Sequence, residues 1–208
     1  MIRDPNRFER ALGRFDAANA EDPNREIVDG QPQAKELVYG QRLSAMLARF
    51  APQASEALQL AARCQHIRRW AIPRGDYPQT TIGYKQWRTR LKKFHADTAS
   101  AILQDVGYDA DTIRQVHSLL RKEGLKTNPE TQALEDVVDL VFLEHYLEDF
   151  VAKHGHQGEE KLADILRKTW KKMSPEGHAA ALELIKIPEK LAPFVLKAVS
   201  SASVPEQP

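Results

Sequence analysis

Between Arg63 and Pro78 the chain reads RCQHIRRWAIPRGDYP, a stretch that gathers a histidine, a tryptophan and four arginines around a helix end. Guanidinium groups grip phosphate or carboxylate through paired N–H donors, and imidazole moves a proton near neutral pH or ligates a metal. Two further polar residues stand on surfaces that should be buried. Asp136 shares a helical face with Leu140, Leu143, Leu147 and Phe150, and His95 borders the face of Leu91, Thr98 and Ile102. His66 itself follows Leu58 and Ala62 at helical spacing. An uncompensated buried carboxylate costs several kcal/mol, so Asp136 must be paired, metal-bound or protonated. His66, His95 and Asp136 are therefore the candidate catalytic centre and candidate ligands of a divalent metal ion, while Arg63, Arg69, Arg74 and Arg88 are candidates to hold an anion. The competing reading is structural, with a carboxylate satisfied by an arginine or a helix end and histidines held in the core.

The elements that must position these residues are helical. Apolar positions recur at helical rather than alternating spacing along nearly the whole chain, so the fold class is all-α, a compact multi-helix bundle. Asp4-Pro5 opens a first helix carrying Phe8, Leu12 and Phe15, and residues 20–33 read as a loop with Pro23, Gly30 and Pro32. Helices are expected over about 34–50 and 55–70, separated at Pro52. An ordered loop over 71–83 leads into a helix with Tyr84, Trp87, Leu91, Phe94, Thr98 and Ile102, ending at Gly107. A shorter helix spans 111–122. Asn128-Pro129-Glu130 announces a helix over about 129–153, whose VVDLVFLEHYL is apolar nearly all round. Helices over 161–172, 175–185 and 188–199 follow. Residues 1–200 are expected to form a single helical domain and 201–208 a disordered tail.

Composition narrows the class of partner. With 208 residues, 42% of them hydrophobic, and a formal net charge of +1, the chain suits one ordinary core and lacks a whole-protein basic field, which disfavours nucleic acid. One cysteine, Cys64, excludes an internal disulfide framework and fits a reducing compartment. The charged start MIRDPNRFER and the absence of a long apolar run point to a cytoplasmic protein without a membrane span.

The segments AARCQHI, FHADTA and LEDVVDL, in that order, resemble the metal-binding helices of the HD-domain superfamily of phosphohydrolases. That resemblance implies an all-α fold with a divalent ion held by His66, Asp136 and, as a third ligand, His95, and an ion that polarises a phosphoryl oxygen and activates water. The pattern is degenerate: Ile67 replaces the aspartate of the name-giving pair, Tyr39 falls where a first histidine is expected, and Lys122 falls near another histidine position. Over nearly the whole chain, QHIRRW, PRGDYP, GYKQWR, QALEDVVDLVFLEHYLEDF and KTWKKMSPEG resemble domain of unknown function family 4202, with Thr81 where arginine is expected. That second resemblance implies no particular activity.

Other constellations are weaker. KTWKK (residues 168–172) reads as a solvated helix end, His154-Gly-His156 as a turn, and His145/Asp149 and Glu144/Glu148 as helix-surface pairs. No P-loop, dinucleotide glycine motif or nucleophile elbow is present. Two functions are expected: a phosphohydrolase acting on a small phosphorylated or nucleotide ligand, or a non-catalytic module that binds a ligand or a protein.

Overall fold

Helix caps written into the sequence set most element boundaries. Asp4 accepts from the Arg7 N–H at the start of α1 (Pro5–Ala20), Ser55 from Leu58 at α3 (Glu56–Arg63), and Asp109 from Thr112 at α5 (Ala110–Arg121). The computed structural model describes residues 2–154, 159–187, 191, 192 and 195. They fall into two compact units, Met1–Leu134 and Glu135–Pro208.

The first unit packs α1, α2 (Lys35–Phe50), α3, α4 (Thr81–Val106) and α5 around a core that includes Phe15, Leu43, Met46, Leu60, Leu103 and Leu120. Residues 20–33, expected as a loop, contain a hairpin instead: β1 (Arg25–Val28) pairs antiparallel with β2 (Gln31–Ala34). Asp29 and Gly30 both take positive φ, the two-residue turn that suits a hairpin's twist. Pro32 faces Ile27 across the ladder, and an edge strand tolerates its missing N–H. Asp22, buried at the hairpin's base, accepts from the Glu36 N–H and so serves the open end of α2, where Ala34 offers no side-chain cap.

The helix expected over 55–70 stops earlier. α3 ends at Arg63, and residues 64–68 form turns followed by two short 3₁₀ segments, Arg69–Ala71 and Arg74–Asp76. Gly40 lets α2 approach that end, since a Cβ there would come within 2.6 Å of the Arg63 carbonyl oxygen. α4 starts three residues sooner than its apolar stripe suggested, because the Thr80 hydroxyl caps it at the Gly83 N–H. Gly83 is required for the Pro78 carbonyl to pack against the helix, where a Cβ would collide with that oxygen.

α6 (Pro129–Val141) begins at the Asn128 cap, where the side-chain oxygen accepts from Glu130 and Thr131. In the second unit, Val137, Leu140, Leu143 and Leu147 are buried. The expected continuous helix is interrupted by a π-helical turn, Phe142–Tyr146, before α7 (Leu147–His154). α8 (Glu159–Lys172) and α9 (Pro175–Glu183) complete the described helices. The expected helix over 188–199, the tail over 201–208 and most of the His154–His156 turn lie outside the described residues. The described residues are thus mostly helical with one small hairpin, and no described helix is long and apolar enough to cross a membrane.

Candidate functional site

The turn after α3 is built to fold back on itself. Arg68 adopts a left-handed backbone (φ 50°), uncommon for a residue with a Cβ, and its N–H is held by the Asn19 side chain at 3.0 Å. The reversal returns Arg69 to His66: the Arg69 N–H donates to the His66 carbonyl, and Nη1 lies 3.0 Å from His66 Nε2. Guanidinium can only donate, so His66 Nε2 accepts and the proton resides on Nδ1, which faces Glu36 Oε2 at 3.4 Å. Tyr39, one turn along α2 from Glu36, stacks on the His66 ring at 4.3 Å and 7°.

His95 reaches the same place from α4. Its ring centroid lies 5.7 Å from that of His66, and Nδ1 lies 2.8 Å from the Ile67 carbonyl oxygen. A carbonyl only accepts, so Nδ1 carries the proton and Nε2 presents a bare lone pair. That nitrogen is buried with no hydrogen-bond partner, as is Gln65 Oε1, and both side chains line one narrow crevice with His66, Arg69 and Arg88. Lys92 and Lys122 line it as well. Lys122 takes a left-handed conformation where it ends α5.

Electrostatics keep both rings neutral. Burial, with Arg69, His95 and Arg88 nearby, drives the His66 pKa well below its usual range, and burial with Arg69 and Arg88 brings His95 down to about 3. Burial raises Glu36 to about 7, opposed by Arg69 and reinforced by Asp22. Cys64, two residues from His66, is fully buried and burial pushes its thiol up, which removes it as a thiolate nucleophile.

Beside the crevice lies an open cleft of about 420 Å³. Arg69 and Glu36 belong to the cleft wall, which also carries Arg25, Lys35, Trp70 and Arg74. Arg69 lies over the Trp87 ring at 4.8 Å, and the Trp87 indole N–H donates to the Ile72 carbonyl. Arg74 gives two N–H groups to the carbonyls of Tyr77 and Pro78, which staples the PRGDYP loop.

The residues singled out by sequence divide accordingly. His66, His95, Arg69 and Arg88 are brought to the crevice, and Arg74 to the cleft beside it. Arg63 is turned elsewhere, its guanidinium forked onto Asp16 at 2.7 and 2.5 Å. Asp136 belongs to the second unit, where its oxygens accept from the Ser174 N–H at 2.8 Å and hydroxyl at 2.6 Å, the capping residue of α9. Glu36 and Gln65 had not been singled out. Gln65 lies inside QHIRRW but alternates with His66 in a helical reading, and Glu36 looks like an ordinary first-turn acid.

Both His66 nitrogens are engaged, one facing a guanidinium that would repel a cation, and among the described residues no three His, Cys, Asp or Glu side chains gather. No curated protein and no solved structure matches the chain. The family model described as Domain of unknown function (DUF4202) matches residues 9–195, so the chain belongs to that family.

Proposed function

We propose that the first unit binds a small phosphorylated ligand, its anionic group drawn to the crevice and its remainder lying in the cleft. The observation that carries this reading is the convergence of Arg69, Arg88, Lys92 and Lys122 beside two uncharged histidines. Arg88 supports it most directly, since it has no carboxylate partner among the described residues. Like charges brought together in a partly buried site cost stability, and a bound anion removes that cost.

The HD-like resemblance enters as the origin of the scaffold. Tyr39, Ile67 and Lys122 stand where that superfamily places metal ligands; here Tyr39 stacks on His66, the Ile67 carbonyl fixes His95, and Lys122 lines the crevice. On this reading a cation-holding centre has become an anion-holding one.

Calorimetric titration of the full chain with inorganic phosphate tests the reading. Saturable binding that weakens with salt and falls in an Arg88→Gln variant with undiminished thermal unfolding is expected. Absence of binding by phosphate and by simple phosphate esters would overturn it. Phosphatase assays with and without a chelator then determine whether turnover accompanies binding, with any activity expected to survive chelation.

A further inference from the structure

We infer that the crevice selects an anion carrying a proton of its own, so that phosphate is accepted and sulfate refused. This rests on the anion-binding reading above and adds a condition that charge alone does not impose.

Two acceptors carry the inference. His95 Nε2 and Gln65 Oε1 are each buried without a hydrogen-bond partner, on side chains only 4% and 5% exposed. Both residues line the crevice whose other walls include Arg69 and Arg88. A buried polar atom without a partner costs stability, and two at one site call for a shared explanation. The tautomer of His95 is fixed by the Ile67 carbonyl, so Nε2 cannot become a donor without the ring acquiring a charge.

The inner space measures about 10 Å³, which is room for one water-sized group. An oxygen of an oxyanion fits that space. If the oxygen is bare, its negative charge faces the lone pairs of Nε2 and Oε1; if it carries a proton, it donates to an acceptor while the remaining oxygens meet the cations. Inorganic phosphate retains at least one P–OH near neutral pH, and sulfate retains none. The two are otherwise close in size and geometry, which makes the pair a direct probe of the acceptors.

The experiment titrates the full chain with inorganic phosphate and, separately, with inorganic sulfate at matched ionic strength and about pH 7. Phosphate is expected to bind about tenfold more tightly or better, the worth of one hydrogen bond to a group that would otherwise meet a repelling lone pair. Gln65→Met keeps the volume and the His95–Ile67 bond but removes one acceptor, and should reduce the preference to within about threefold. Equal binding of the two anions by the unaltered protein overturns this inference while leaving the anion site standing. Binding of neither overturns this inference, and the reading on which it rests falls with it when simple phosphate esters also fail to bind. A preference that Gln65→Met leaves unchanged overturns the assignment to these acceptors.

Discussion

Two polar clusters, one in each unit, contrast in how their charges are answered. In the second unit Lys172 bridges Glu135 and Asp139 at 3.1 and 2.9 Å, and Asp136 is met by the backbone and hydroxyl of Ser174. Donor and acceptor alternate there, as in a network that fixes architecture. In the first unit the cations Arg69 and Arg88 converge on uncharged rings, Glu36 at 4.0 Å from Arg69 being the carboxylate beside them, and two acceptors are left without donors. A cluster in which a cation faces carboxylates and a helix cap faces a third reads as structure, and one in which cations face uncharged rings reads as a place for a ligand.

The strongest way to break this contrast is Asp136→Ala. Removing the carboxylate strands the Ser174 donors and should cost about 3 kcal/mol in urea unfolding, with phosphate affinity unchanged. Weakened phosphate binding in a variant of undiminished stability would erase the distinction between the clusters.

Glu36→Gln acts on the electrostatics of the first unit. A carboxyl whose pKa is raised in the folded state, from 4.5 to about 7, contributes stability below 4.5 that is lost as pH rises through 7. His66 and His95, lowered from 6.5, act in the opposite sense, contributing stability above 6.5 that is lost as pH falls. Glu36 offsets one of the two histidines, so the unaltered protein should gain stability with the slope of one net proton, about 1.4 kcal/mol per pH unit, between about pH 4.5 and 6.5. Glu36→Gln should steepen the acid loss in that window and stabilise the fold above pH 7 by about 2 to 3 kcal/mol, read from unfolding curves across pH.

Arg88→Gln sharpens the contrast further. It removes a cation without a carboxylate partner, so phosphate affinity should fall about tenfold while unfolding free energy stays within about 0.5 kcal/mol or rises slightly. A loss of stability instead would mean that Arg88 holds the fold. The smallest effect is expected at the exposed Lys93–Asp97 pair, 2.6 Å apart on α4. Lys93→Gln should change stability by less than about 0.5 kcal/mol and phosphate binding not at all.

Much of the fold was legible in the chain. Asp4 and Asn128 cap helices where sequence placed them, because a side-chain oxygen answering an open N–H is a local event. The hairpin was missed although Asp29-Gly30 announces it, since neither short strand alternates cleanly between apolar and polar residues. The premature end of α3 was invisible because Cys64 to Trp70 contains no glycine or proline to break a helix; the Arg68 reversal is stabilised by Asn19, 49 residues away.

For the site, sequence alone determined which chemistry was available: histidines, arginines and a carboxylate at apolar positions, in a stretch too rich in cations to be an ordinary core. Tertiary structure decided which of them meet. Arg63 is claimed by Asp16 and Asp136 by Ser174, whereas Glu36 and Lys122 join His66 and His95 from other turns of the chain. The physical reason is that a residue's type is local, whereas the partner that neutralises it, or fails to, is supplied by segments distant in sequence.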